Sequence, residues 1–188
     1  SHRRSRHRHR KNGHDPVCGS LTEHALEALD GARTVTAYVS VGCEPCTRPL
    51  LNRLEKRGVT VLLPVLGPRL SRSWGVFHGA DDLAERAPGR PPEPGGAALP
   101  AEAVARADAL VIPALAVDRG GRRLGQGGGW YDRMLPLRRD GVRVFAMVYD
   151  DELVPGPLPT QTHDETVDAV ITSDAWFLLK GSAFASGR

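Results

Sequence analysis

Five short runs of apolar and β-branched residues constrain this chain more than any other feature. They are TVTAYVSV (34–41), VTVLLPVL (59–66), ALVIPAL (109–115), VRVFAMVY (142–149) and VDAVITS (167–173). Each is the length of a strand, and each is apolar nearly throughout rather than at alternate positions. That is the pattern of strands covered on both faces. Between them lie stretches with helical spacing. Residues 20–30 place Leu21, Ala25, Leu26 and Leu29 on one face, Ser20 and Glu23 resemble a capping box, and Gly31 stops the run. Residues 46–57 repeat the pattern with Leu50, Leu51 and Leu54, and Gly58 ends it. Shorter helix candidates fall at 100–107 and 129–139. A helix between two strands needs a crossover, so the strands run parallel. The expected fold is α/β: a single domain with an open, mostly parallel sheet and helices on both faces, a Rossmann-like three-layer arrangement.

Two segments break this rhythm. Residues 67–87 are mixed, with short strand character around Trp74–Phe77. Residues 88–100, PGRPPEPGGAALP, are too rich in Pro and Gly for regular structure and read as a surface loop or internal linker. Trp74, His78 and Trp176 are single aromatic or imidazole groups in apolar settings, where packing is the ordinary role.

The chain's net charge of +3 is a terminal effect. Residues 1–11 hold Arg3, Arg4, Arg6, Arg8, Arg10 and Lys11 and no acid. Without those six, 19 basic residues face 22 acidic ones, a net charge of −3. Residues 1–16 therefore read as a flexible basic arm, and 17–188 as the folded domain. No aromatic residue interleaves the arm, which disfavours a nucleic-acid role. No apolar run is long enough to span a bilayer, and no export signal opens the chain, so the expected compartment is the cytoplasm. Cys18, Cys43 and Cys46 are too few, and odd in number, for a disulfide framework. Cys43 and Cys46 form a C-x-x-C, but no second ligand pair follows to make a zinc site.

In an open parallel sheet, ligands sit beyond the carboxyl ends of the strands. That directs attention to the segments after residues 41, 115 and 149. The second is the most informative: DRGGRRLGQGGGWYDR, Asp118 to Arg133. Its glycines allow close backbone approach to an anion, and a helix starting near its end adds a positive dipole. Arg122, Arg123 and Arg133 offer charge to phosphate oxygens. Trp130 and Tyr131 offer flat faces, and Asp132 a hard oxygen ligand for Mg²⁺. No G-K-[ST] closes the loop, so it is not a Walker A motif, and it follows the third strand rather than the first. A nucleotide beside a flat substrate fits this inventory.

The run Ile112 to Asp118 followed by Gly121 to Arg133 resembles the signature of the 5-formyltetrahydrofolate cyclo-ligase family, roughly P-x-L-A-x-D, a short gap, then G-x-R-L-G-x-G-x-G-[YW]-Y-D-R. Weaker agreement extends from about residue 34 to residue 174. The resemblance implies ATP-dependent cyclisation of 5-formyltetrahydrofolate to 5,10-methenyltetrahydrofolate, with release of ADP and phosphate. The formyl oxygen attacks the γ-phosphate, N10 attacks the imidoyl phosphate so formed, and phosphate leaves. It also implies that Arg123, Leu124, Gly125, Gln126, Gly127, Gly128, Gly129, Trp130 and Tyr131 line the ATP phosphates. Glu44 and Gln126 to Trp130 are implied to contact the folate. Arg123 and Tyr131 carry the catalytic roles, and Asp132 and Asp168 hold Mg²⁺, with Asp164 the nearest competitor to Asp168. Such a protein is expected to act as a monomer or weak dimer on soluble 5-formyltetrahydrofolate and ATP, away from membranes. One departure stands out. The family opens with a helix whose K-x-x-x-R pattern contacts ATP, and no such pattern occurs near this start, which implies truncation or divergence there. Two other readings stay open: a non-catalytic folate- or nucleotide-binding homologue, and another phosphoryl-transfer enzyme on the same fold.

Overall fold

The computed structural model describes residue 6 and residues 15–186. Chain order begins with helix α1 (Cys18–Ala28), strand β1 (Thr34–Thr36), helix α2 (Arg48–Lys56) and strand β2 (Thr60–Leu66). Strand β3 (Arg72–Val76) follows, then the short strands β4 (Leu83–Ala84) and β5 (Glu93–Pro94) and a 3-10 segment, Ala101–Arg106. Next come β6 (Ala109–Pro113), β7 (Ala116–Asp118), β8 (Arg123–Leu124) and helix α3 (Trp130–Met134). The last elements are β9 (Arg143–Met147), β10 (Leu153–Val154), β11 (Ala169–Ile171) and β12 (Trp176–Leu178).

The main sheet has seven strands in the order β12-β11-β9-β6-β1-β2-β3. Its five inner strands are parallel, and both edges are antiparallel. The chain builds outward from β1 to the β3 edge. It then returns to the other side of β1 as β6 and builds toward β12. The order therefore reverses between β1 and β6. At such a point the connections after neighbouring strands leave in opposite directions and open a crevice.

Alternate residues of each inner strand face opposite layers, as a pleated strand dictates. Val35, Val61, Leu63, Val111, Phe145, Met147 and Ile171 pack with Leu21, Leu26, Leu50 and Leu54 from α1 and α2. Leu62, Leu110, Ile112, Val144, Ala146 and Val170 pack instead with Val104, Met134 and Leu135. Helical elements thus cover both faces, and the three-layer expectation holds.

Several local expectations change. Helix α1 starts at Cys18, ahead of the proposed Ser20–Glu23 box, with no side-chain cap. Asp15 Oδ1 accepts the Val17 N–H at 3.1 Å just before it, which fixes the entry. The 100–107 helix is 3-10, and the 129–139 helix is one α-turn followed by a 3-10 turn. Pro136 lacks an N–H and disfavours helical geometry before it, so an α-helix cannot run through it. The Pro/Gly-rich segment is more ordered than its composition suggests. Glu93 and Pro94 pair with β4, and the buried Glu93 accepts the Leu66 N–H at 3.1 Å. The cysteine reading also changes: Cys18 and Cys46 form a disulfide, with their Cα atoms 5.6 Å apart, that ties the start of α1 to the loop after β1. Cys43 lies outside that bridge. Trp74 is fully buried, Trp176 packs on Phe145, and His78 is exposed.

Candidate active site

A cleft of about 970 Å³ opens at the reversal between β1 and β6. Its floor and walls come from the carboxyl ends of three strands: Tyr38, Val39, Val41 and Glu44 after β1, Pro64–Leu66 at the end of β2, and Pro113 and Ala114 at the end of β6. Residues 123–132 form one side, and the 89–93 segment and Pro159–Gln161 with Asp164 complete it. The volume suits a ligand of cofactor size.

The wall after β1 is held by a tight set of buried bonds. Thr47 Oγ1 donates to the Tyr38 carbonyl at 2.6 Å and accepts the Ser40 N–H at 2.9 Å. Thr47 N–H in turn donates to Ser40 Oγ at 3.0 Å. These bonds close the base of the loop that carries Glu44, as Thr and Ser side chains do when they replace backbone partners. Glu44 then folds back: its Oε2 accepts the Val41 N–H at 2.9 Å, and its Oε1 accepts Gln126 Nε2 at 3.2 Å. The predicted substrate residue and the predicted loop are thus joined across the cleft.

The glycine-rich segment is shaped from beneath by Asp118, which is buried. Its carboxylate accepts the N–H groups of Gly120, Arg122 and Leu158, each at 2.9 Å. From there β8 returns antiparallel to β7 and delivers Arg123 to the cleft. Arg123 Nη2 pairs with Asp132 Oδ1 at 3.2 Å, and its guanidinium lies 6.0 Å from the Tyr131 ring centroid. Its Nε is buried without a hydrogen-bond partner. A methyl group at Gly125 would come within 2.8 Å of Arg123 Nη1, so this glycine makes room for the charge beside it. Gly129 adopts φ +65° to begin α3, a conformation L side chains disfavour. That helix has five residues, so the dipole expected at the loop's end is small. Trp130 stacks edge-on with Trp74 at 4.8 Å and with Tyr131 at 5.0 Å. Burial, reinforced by the Glu44 carboxylate, raises the Tyr131 phenol well above its ordinary range and keeps it protonated.

All nine residues from Arg123 to Tyr131, together with Glu44 and Asp132, line the cleft. Arg122 and Arg133 do not; both are exposed to solvent. Asp168 does not either. Its carboxylate accepts the Val144 N–H at 2.8 Å and the Ser182 hydroxyl at 2.9 Å, fastening the sheet to the C-terminal turn. Asp164 is the acid that reaches the cleft. The residue after it, Glu165, donates its N–H to Asp132 Oδ1 at 3.1 Å, which holds this segment beside Asp132.

The sequence reading missed several contributors. Tyr38, the Pro64–Leu66 wall and the 89–93 segment carry no motif, although position after a parallel strand was a usable signal for the first two. Arg6 is a larger surprise. It is buried, bonded to the Glu152 carboxylate and to the carbonyl of Ala114, which lines the cleft. The other arm residues, 1–5 and 7–14, lie outside the described residues.

Comparisons with known proteins agree with this architecture. The model of the 5-formyltetrahydrofolate cyclo-ligase family matches residues 3–173. A 5-formyltetrahydrofolate cyclo-ligase from Mycolicibacterium smegmatis is 44% identical over 81% of this chain and 84% of its own length. One from Escherichia coli K12 is 34% identical over 77% and 81%. A 5,10-methenyltetrahydrofolate synthetase from Aquifex aeolicus shares the fold, with a TM-score of 0.75 over 95% of this chain and 91% of that one at 22% identity. The counterpart from Mycoplasma pneumoniae gives a TM-score of 0.59 at 15% identity, covering 82% and 83%. The chain therefore belongs to the 5-formyltetrahydrofolate cyclo-ligase family, a family of ligases.

Proposed function

We propose that this protein closes 5-formyltetrahydrofolate to 5,10-methenyltetrahydrofolate at the expense of ATP, releasing ADP and phosphate. The observation that carries this reading is the meeting of Glu44, Gln126, Arg123, Tyr131 and Asp132 in one cleft at the sheet's reversal point. The chemistry asks for little covalent work by the protein. It needs the formyl oxygen and the γ-phosphate held in line, with charge stabilised as the phosphoryl group moves. Glu44, fixed by the Val41 N–H, offers a carboxylate to the N–H groups of the pterin ring. The 125–129 backbone approaches the phosphates, and Arg123 offsets their charge. Asp132 directs the Arg123 guanidinium, and the protonated Tyr131 lines the same cleft as a neutral group. The 89–93 segment completes the wall of the cleft.

The residues fit a magnesium ion. Mg²⁺ commonly takes one or two carboxylates and completes its shell with phosphate oxygens and water, so no large protein cage is required. Asp132 and Asp164, which both line the cleft, would supply those carboxylates. Asp168 is set aside because it does not line the cleft and its carboxylate instead joins Val144 to Ser182. Such an ion would supply positive charge to offset that of the ATP phosphates. The compartment is proposed to be the cytoplasm, where both substrates are soluble. Among the described residues no helix is long and apolar enough to cross a membrane.

The deciding experiment follows the methenyl absorbance band on mixing protein, 5-formyltetrahydrofolate, ATP and Mg²⁺. The band grows with the parent protein and is lost in Asp132→Ala. Folate binding without any growth of the band, in conditions where the Escherichia coli relative turns over, would reduce the reading to a non-catalytic homologue. ATP consumption with no folate requirement would indicate a different phosphoryl transfer.

A further inference from the structure

Cys18 and Cys46 are joined across 28 residues, with Cα atoms 5.6 Å apart, an ordinary span for a disulfide. The bridge meets the cleft wall beside the residue expected to hold the folate. Cys46 stands two residues after Glu44 and directly before Thr47, whose bonds to Tyr38 and Ser40 close the turn. A second tie joins the same two regions. The Asp15 carbonyl accepts the Cys18 N–H at 3.3 Å. Asp15 Oδ2 accepts the Tyr149 hydroxyl at 2.8 Å, and that hydroxyl lies 3.4 Å from the Glu44 carbonyl oxygen. The entry to α1 thus holds the Glu44 turn from behind, once through a tyrosine and once covalently. Glu44 in turn meets Gln126 of the glycine-rich segment at 3.2 Å.

Three features mark this bridge as one that opens and closes. Both of its cysteines are partly exposed, so a thiol can reach them. The core does not depend on it, because Leu21, Ala25 and Leu26 bury α1 and Leu50, Leu51 and Leu54 bury α2 without its help. In the cytoplasm proposed above, a disulfide is ordinarily transient and redox-sensing rather than structural. We propose that the Cys18–Cys46 bridge is a redox switch on folate binding, which rests on the reading that the substrate is a reduced folate. Closed, the bridge fixes the Glu44 turn against α1; open, it leaves that turn for the ligand to order. The reductant is a dithiol. One of its thiolates attacks a bridge sulfur, and the other cysteine leaves as a thiolate and takes up a proton. The second thiol of the dithiol then displaces the mixed disulfide. The dithiol ends as its own disulfide, and two electrons and two protons pass to Cys18 and Cys46. The ATP side is spared, since residues 123–131 take their shape from Asp118 and Asp132 rather than from the bridge.

The test titrates 5-formyltetrahydrofolate and ATP separately against air-oxidised protein and against protein held in excess dithiothreitol. Thiols counted after denaturation should number one in the first form and three in the second, since the chain has three cysteines. Reduction should weaken folate binding roughly 3- to 10-fold, the change expected when the binding-ready turn falls to between about a third and a tenth of the population. ATP, with no differential affinity for the two states of the turn, should bind both forms within about twofold. Re-oxidation with glutathione disulfide should restore the folate affinity. Cys18→Ser should bind like the reduced protein with or without dithiothreitol. Cys43→Ser should keep the response, because Cys43 lies outside the bridge. Equal folate affinity in the two forms would overturn the inference. So would three thiols in the oxidised protein, or a bridge that dithiothreitol opens only when circular dichroism shows the chain unfolding. An equal loss for ATP would make the bridge a structural staple and overturn it too. A protein that binds 5-formyltetrahydrofolate in neither form would overturn the functional reading itself, which equal affinity in the two forms leaves standing.

Discussion

Thr47→Val tests whether the base of the Glu44 loop holds the site as described. Valine nearly matches threonine in shape but lacks the hydroxyl. In the parent that hydroxyl serves two backbone groups at once, the Tyr38 carbonyl at 2.6 Å and the Ser40 N–H at 2.9 Å. Thr47 is fully buried, so water cannot replace either bond. Each orphaned group costs about 1–3 kcal/mol, giving a loss of about 2–6 kcal/mol. Against a typical total of about 5–15 kcal/mol this is a large fraction. For a domain of this size it lowers the unfolding midpoint by roughly 4–24 °C. Denaturant unfolding with m-values, beside a thermal scan, measures it. Thr47→Ser keeps the hydroxyl and should recover most of the loss. Because the same bonds fix Tyr38 and Glu44, the valine variant should also raise the KM for the folate more than that for ATP. A valine variant within about 0.5 kcal/mol of the parent, or a serine variant equally damaged, would refute the account of this loop.

Gly125→Ala puts a methyl group 2.8 Å from Arg123 Nη1, which Asp132 holds in place. Steady-state kinetics should show at least about a tenfold loss in kcat/KM for ATP with little change in thermal stability. Glu152→Ala leaves the Arg6 guanidinium buried without its carboxylate and takes the partner of the Tyr149 N–H. Chemical denaturation should register a loss of about 3–5 kcal/mol. A smaller loss, near that of an exposed pair, would mean that Arg6 is not seated there in solution. The phenols predict a pH dependence. Tyr38 and Tyr131 are both raised by burial and then by Glu44, so their protonated forms favour the folded state. That contribution is complete below the ordinary phenol value of about 10 and is lost as pH rises toward the folded values. Unfolding midpoints between pH 9 and 11 should fall in the parent and fall less in Tyr131→Phe; equal slopes would remove the assignment.

Much of the layer structure was legible because the signal for it is strictly local. A run such as VTVLLPVL has no polar face, so it must be covered on both sides, and the leucines of 50, 51 and 54 supply one of the covers. What was illegible follows from the same locality. The edge strand Trp176–Leu178 is partly exposed and only three residues long, and its apolar run, Ala175 to Leu179, is too short to tell a strand from a helical turn. The 88–100 segment looked structureless by composition, and it does lack regular structure over most of its length. Its anchors are long-range bonds, from the Leu66 N–H to Glu93 and between the backbones of Trp74 and Leu99, which no window of neighbouring residues contains.

The site divides along the same line. The Arg123–Asp132 stretch could be read as a unit because its chemistry is contiguous, and the fold keeps it so. Asp168 illustrates the opposite case. The family resemblance implied it as a metal ligand, yet a match along a chain says nothing about which face of a strand an acid meets. Asp168 lies just before β11, where the Val144 N–H and the Ser182 hydroxyl already use its oxygens. Asp164, four residues earlier in a connecting segment, stays on the cleft side because the neighbouring Glu165 N–H is tied to Asp132. The same reasoning explains Tyr38. A tyrosine in an apolar strand run looks like core until the topology is known. The reversal of strand order between β1 and β6 turns the end of that run into a wall of the cleft.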